Sequence, residues 1–364
     1  MVYDCGSSTN KADIEREIRG AFEKDEEIEY LFISHFHNDH INGIDELKKR
    51  THIKNVVIPL YNDYDRLLYL ATITTHDERV YKKLAKLIIN PKVFFNEETD
   101  TKQKHGRRDY DTKIIRIRPM NESSESFSND VLDIKESGTV IKMSLQGTIT
   151  HTPHAEWEYV PLNNNQRETS DAFKNECQQN LIIGDINQFI QDKTNRDRLK
   201  EIYKKVFGNK SLNESSMMVY SGLKDNDTDL KGNSIPNACL YTGDATFNVQ
   251  VLKQMQPFWK TRIKNITLFQ IPHHASQQSF DIEIIDRLKL APSCLIVFAS
   301  CGNMNTYGHP SPYVITQCNL FLKDHNKFQT EYAQHIDFIT EQRVRIVTES
   351  KNTMLVLVYD FNNN

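Results

Sequence analysis

The stretch of this chain best suited to chemistry is "HFHNDH", residues 35–40, where three histidines and an aspartate fall within six positions. With 13 histidines in 364 residues, chance would place His-x-His-x-Asp-His in such a chain about once in a thousand. Imidazole and carboxylate together suit a divalent metal such as zinc, manganese or iron. The spacings here are two and three, whereas one face of a continuous helix needs three or four. The apolar run Tyr30 to Ser34 just before the cluster reads as a short buried strand. "INGIDELKKR" just after it reads as the start of a helix. The cluster therefore belongs on a strand-to-helix loop, where side chains can converge on one point.

Three later segments could complete such a site. "LYTGD" ends an apolar strand with Asp244, although an aspartate there could equally cap the helix that follows. "QIPHHAS" sets His273 and His274 directly after a strand, where surface histidines are the alternative. "NTYGHPSP" carries Tyr307 and His309 at what could also be a plain helix-start turn.

The elements that must position these residues follow from periodicity. Apolar positions at Ile14, Ile18 and Phe22 predict a helix from Lys11 to Glu26. A strand is expected at 55–59, mostly helix over 62–90, and strands at "TKIIRIR", "TVIKMSL", "GTITH" and "WEYVP". The second half alternates strands at 215–222, 238–244, "ITLFQIP" and "SCLIVFAS" with helices at "NVQVLKQM", "FDIEIIDRLKL" and near residue 311, and two or three strands close the chain. Blocks of strands with helices between them point to an α/β fold with αββα layering. With no fixed-period repeat and no clear linker, one domain over 1–364 is expected, elaborated in the middle at about 96–210.

In order along the chain, Asp4-Cys5-Gly6, His35 to His40, Asn213-Glu214-Ser215-Ser216, Thr242-Gly243-Asp244, His273-His274-Ala275-Ser276 and Tyr307-Gly308-His309-Pro310 form a set that resembles the metallo-β-lactamase superfamily. Within it, the set is most similar to the branch related to the nuclease-like domain of the DNA-uptake protein ComEC. The resemblance implies a metallo-β-lactamase-like αββα sandwich and a two-metal hydrolase using a metal-bridging hydroxide. By carry-over, His35 and His37 hold one metal, Asp39 and His40 the other, and Asp244 bridges both. His273 is favoured over His274 to complete the second metal's ligands, and Asp4 orients the cluster from behind. Asp39 or Asp244 aims the attacking water. His309, Tyr307 and Ser276 are candidate donors to developing negative charge. Two zinc ions are the expected cofactors, with manganese or iron as alternatives.

The chain departs from the family's pattern in three places. Strands usually precede Asp-x-Gly, so the N-terminal strands of the sandwich are not accounted for and a sheet edge is expected to stand exposed. Ala275 replaces a glycine, which could narrow the approach of substrate. The histidine that many members supply between the first loop and the bridging aspartate has His154 as its candidate here, with His151 a weaker one.

The substrate is less legible. Such a site can cleave phosphodiester, carboxyl-ester, lactone, thioester or β-lactam bonds, and fold alone does not choose. The motif set favours phosphodiesters. So does a basic stretch (Lys102, Lys104, Arg107, Arg108, Lys113, Arg116 and Arg118) that could contact the phosphates of a nucleic acid. A carboxyl-ester, lactone or thioester hydrolase is the alternative within enzymes. A non-catalytic binding relative in a larger defence or uptake assembly is the alternative outside them. A net charge of −4 excludes whole-surface attraction to nucleic acid or anionic membrane. Six scattered cysteines without a Cys-x-x-Cys pair fit a reduced cytosol. No apolar run approaches bilayer-spanning length.

Overall fold

Strand alternation dictates two kinds of packing. On β2 (Glu26–Phe32), Leu31 faces one core while Tyr30 and Phe32 face another. On β8 (Ser216–Leu223), Met218 and Tyr220 point one way, Met217 and Val219 the other. Period-two apolar residues on both faces mean that each sheet is covered twice. The computed structural model describes residues 1–7, 11–97, 111–120, 133–144, 156–164, 168–181, 184–208, 216–224, 238–259, 261–281, 283–288, 296–299, 308–322, 336–337, 343–347 and 356–360.

The first sheet runs β1 (Val2–Tyr3), β2, β3 (Thr51–Pro59), β4 (Lys113–Ile117) and β5 (Ile134–Lys135), all parallel. The second runs β11 (Ile296–Phe298), β10 (Ile266–Gln270), β9 (Ala238–Tyr241), β8, β7 (Glu156–Asn164) and β6 (Ile141–Ser144). Its β9–β10–β11 side is parallel and its β6–β9 side antiparallel. Tyr3, Phe32, Ile117, Trp157, Tyr159 and Tyr241 fill the space between the sheets. Trp157 donates its indole N–H to Ser221 Oγ at 2.9 Å, so the largest buried ring there leaves no polar atom unmet.

Helices cover both outer faces. Over the first sheet lie α1 (Lys11–Ala21), α3 (Ile44–Arg50), α4 (Asp63–Thr72), α5 (Glu78–Ile89) and α6 (Pro91–Asn96). Over the second lie α10 (Val249–Trp259), α11 (Glu283–Leu288) and α12 (Pro312–Leu322). This is the αββα arrangement of a metallo-β-lactamase fold. The middle of the chain adds α7 (Glu168–Asn180), the short α8 (Ile186–Phe189) and α9 (Lys193–Phe207), which pack on the first sheet's helical layer through Phe173, Cys177, Leu199 and Ile202. Arg196 of α9 makes two 2.9 Å hydrogen bonds to the carboxylate of Glu78 and stacks on Tyr81.

Two expectations change. The first helix stops at Ala21 rather than Glu26, because Glu26 is already paired with Thr51 of β3 and Asp25 donates its N–H to Arg50 O. The three last strands, β12 (Ile336–Asp337), β13 (Arg343–Val347) and β14 (Val356–Asp360), form a sheet of their own. Its β14 lies against β1, so the edge expected to stand bare is flanked by the chain's own last strand. The expected strand "GTITH" lies outside the described residues. No helix among the described residues is long and apolar enough to cross a membrane.

Candidate metal centre

The ends of five strands meet at one edge of the sandwich. Asp4 follows β1, His35 follows β2, Asp244 follows β9, the pair His273–His274 follows β10, and Ser216 opens the antiparallel β8. In parallel sheets the carboxyl ends of the strands, where chains diverge into loops, form the natural crevice. Two hydrogen bonds fasten the sheets together there: Met217 N–H to Ser34 O at 2.9 Å and Tyr3 Oη–H to Met217 O at 2.7 Å.

The first loop is held from behind. Asp4 has a φ of 56° and accepts from the Ser34 N–H at 2.7 Å, the Ser34 hydroxyl at 2.6 Å and His40 Nδ1–H at 2.8 Å. The Ser34 hydroxyl proton is thereby committed to Asp4. Ser34 Oγ, 3.0 Å from His35 Nδ1, must then accept from that ring. Ser216 Oγ lies 3.2 Å from the same nitrogen and accepts the Asp244 N–H at 3.1 Å. Both rings therefore keep Nδ1–H turned away from the crevice and present Nε2 to it. His35 Nε2 lies 3.0 Å from His37 Nδ1. His37 N-caps the short helix α2 (Asn38–Ile41) without a side-chain capping bond, and Asp39 and His40 stand in that helix rather than on an open loop. Gly6 explains the small residue two places after Asp4: a Cβ there would sit 2.6 Å from Asp39 O.

Asp244 occupies the centre. Its side chain is 3% exposed, with Oδ1 3.4 Å from His40 Nε2 and 3.6 Å from His274 Nε2. Its Oδ2 is 4.0 Å from His35 Nε2 and 3.9 Å from His273 Nε2. His274 Nε2 is also 3.6 Å from Asp39 Oδ2. The preceding Gly243 has a φ of 54°, and a Cβ on it would meet Ser34 Cβ at 2.9 Å, so a glycine is required where the second sheet's loop crosses the first. Gln270 Oε1 accepts from both Thr242 N–H and Gly243 N–H, fixing the turn that delivers Asp244.

Electrostatics follow the geometry. Burial disfavours charge on Asp244, but His40 and His274 overcome it and hold its carboxyl well below the usual range. Asp39 is depressed in the same way, burial being outweighed by His40 and by His274. His40 is buried yet raised well above the ordinary imidazole value by Asp244 and Asp39. His274 is pushed up to about 9, Asp244 and Asp39 again outweighing burial. His35 is pulled well down by burial and by the neighbouring His40 and His37. The cluster thus stores negative charge at its centre and protons on two of its rings, the condition a divalent cation would replace.

The residues fit such a cation. His40 Nε2 is buried and has no hydrogen-bond partner among the described residues. His35, His40 and Asp244 offer ligand atoms within 4.8 Å of one another, and so do Asp39, His40 and His274. Nitrogen and carboxylate donors at this density suit zinc, manganese or iron.

The structure thus gathers His35, His37, Asp39, His40, Asp244, His273 and His274 at one point. His274, rather than the favoured His273, stands beside Asp39 and His40. His309 lies at the rim, its ring centroid 5.7 Å from that of His273. His154, His151 and Tyr307 lie outside the described residues. Ala275 is fully buried with a φ of 63°, so its methyl group does not narrow an open approach. Of the described part of the basic stretch, Lys113 pairs with Asp133 at the surface, the buried Arg118 pairs with Glu136, and Arg116 is half-buried on β4.

Sequence reasoning passed over Ser34, although it directly precedes His35, and gave Ser216 no role, although its Asn-x-Ser-Ser motif was legible. Tyr69 of α4 also stands beside the cluster: its ring centroid lies 5.4 Å from that of His37 and its hydroxyl 3.0 Å from that of Tyr61. No sequence signal separates Tyr69 from its aromatic neighbours.

A search of curated proteins finds no match to this chain. The family model of the metallo-beta-lactamase superfamily matches residues 1–132, the part that contains Asp4, the His-x-His-x-Asp-His loop and the described strands of the first sheet up to β4.

Proposed function

We propose that this chain is a dinuclear metal-dependent hydrolase of phosphodiesters. The observation that carries the reading is Asp244, a buried carboxylate with two imidazoles on each oxygen. Two divalent cations, zinc first by donor type, would supply Lewis acidity and bring the pKa of a water molecule toward neutrality. The chain's own groups do the rest. Asp4, Ser34 and Ser216 hold the His40 and His35 rings with Nε2 inward. Asp39, kept ionised by its neighbours, accepts a hydrogen bond from the attacking water and aims it. His309 at the rim donates to negative charge that develops on the substrate.

The phosphodiester class is supported by the motif set, which is most similar to a branch with nuclease-like members. The net charge of −4 favours a small phosphodiester or a strand end over a long nucleic-acid track. The test is hydrolysis of bis-p-nitrophenyl phosphate by the zinc- or manganese-loaded protein. The expected result is turnover that falls at least about a hundredfold in Asp244→Asn and in His37→Ala. Turnover of carboxyl esters or lactones alone would overturn the substrate class. Phosphodiester turnover unchanged in both variants would overturn the site.

A further inference from the structure

The pair His273–His274 presents two adjacent imidazoles to one carboxylate, and they do not converge. His274 Nε2 faces Asp244 Oδ1, the oxygen that also faces His40. His273 Nε2 faces Oδ2, the oxygen that also faces His35. The two rings are 6.0 Å apart with planes at 62°. We propose that the pair is divided between two cation positions: His274 with Asp39 and His40, and His273 with His35 and His37. This rests on the dinuclear reading above and adds to it a second ligand from the turn after β10.

Coordination number gives the first argument. A zinc position needs three or four protein donors. The Asp39 side has Asp39, His40, His274 and Asp244 Oδ1. The other side has His35, His37 and Asp244 Oδ2, three donors, and His273 Nε2, 3.9 Å from that same oxygen, would give it a fourth and make the two sides equal.

Backbone gives the second. His273, His274 and Ala275 hold φ values of 50°, 54° and 63°, three successive non-glycine residues in the left-handed region. Such backbone is unfavourable for residues that carry a Cβ, and the strain persists only where surrounding structure imposes it. Here His273 N–H donates to Gly243 O at 2.9 Å, Ser276 N–H to His273 O at 2.8 Å and Ser311 N–H to Ala275 O at 3.0 Å. The consequence of the strained turn is that neighbouring side chains splay to opposite oxygens of Asp244.

Orientation gives the third. Ser279 Oγ is 2.7 Å from His273 Nδ1, which leaves Nε2 as the ring's inward atom. A histidine serving only as a proton donor at the rim, like its neighbour His309, would have no need to share an oxygen of Asp244 with His35.

The test is metal content by mass spectrometry after zinc loading and gel filtration, with circular dichroism confirming the fold of each variant. The wild type should retain about two equivalents, and His273→Ala and His274→Ala about one each. Pairing the variants identifies the position: His273→Ala with His37→Ala should still hold about one ion, because both changes empty the same place. His273→Ala with Asp39→Asn should hold essentially none. His273→Ala retaining two ions would overturn the division, as would the reverse pattern in the double variants. A wild type that retains one ion or none would instead sink the dinuclear reading itself, and the division with it. Should His273→Ala fail to fold, His273→Gln, which can still reach Ser279, carries the same test.

Discussion

At the scale of single residues, the chemistry of this site is set by which nitrogen of each ring is already engaged. Asp4 decides it for His40 directly, through the 2.8 Å bond to Nδ1, and for His35 at one remove, through the hydroxyl of Ser34. Asp4 touches no substrate in this account; it is a positioning residue. The change Asp4→Asn would keep the side chain's size but leave one acceptor oxygen where the carboxylate offers two. The Asp4→Asn protein should therefore fold and lose metal affinity by about 10–100-fold. Chelator competition measures this, with a thermal melt of the metal-free protein as control. An unchanged affinity would mean that His40 and His35 are oriented by something other than Asp4.

Legibility in the sequence divides at the scale of elements. The loop 35–40 and the strand-ending residues Asp244, His273 and His274 could be read because strands with an apolar run and a polar terminus announce where their last side chain points. What could not be read is which oxygen of Asp244 each histidine faces. That depends on a left-handed turn at 273–275, and Ala275 carries no glycine signal for it. The helices α7 and α9 were legible but passed over. Leu199, Ile202, Tyr203 and Val206 follow helical spacing behind the N-cap Asp192, in a stretch whose high charge reads as loop.

A buried charge on β7 could not be foreseen either. Glu158 sits between Trp157 and Tyr159, on the strand face that packs toward α10, with its side chain 3% exposed. Arg262, just beyond α10, binds both its oxygens at 2.6 and 3.1 Å. Arg262→Ala would leave a carboxylate buried without that partner and should destabilise the protein by about 3–5 kcal/mol. The double change Glu158→Met with Arg262→Met should recover most of the loss, since apolar replacements of a buried pair are often neutral. Denaturant midpoints at constant m-value would show both effects. A single variant within about 0.5 kcal/mol of the wild type would mean the pair is solvated rather than structural.

At the scale of the whole molecule, two sheets are fastened at one edge by a cluster that folding alone leaves electrostatically loaded. This makes stability depend on pH and on metal in a direction that can be worked out. His40 and His274 bind protons more tightly folded than unfolded; His274 titrates at about 9 when folded against 6.5 in the open chain. Their contribution is full below about 6.5 and is lost as pH rises toward 9. His35 and His273 are shifted the other way, chiefly by burial, so their neutral rings favour the fold above about 6.5 and oppose it as pH falls below. Asp39 and Asp244, both depressed, withdraw their support only at still lower pH. The metal-free protein should therefore melt highest near pH 6.5 and lose melting temperature on both sides. A divalent cation replaces the protons on His40 and His274, so zinc should flatten the alkaline fall. Its binding at pH 7.5 should also release protons, read by calorimetry in buffers of different ionisation enthalpy. A metal-free melting temperature that does not fall between pH 6.5 and 9, together with zinc binding that releases no protons, would mean that His40 and His274 are not the groups the cation displaces protons from, and the charge arrangement around Asp244 would have to be redrawn.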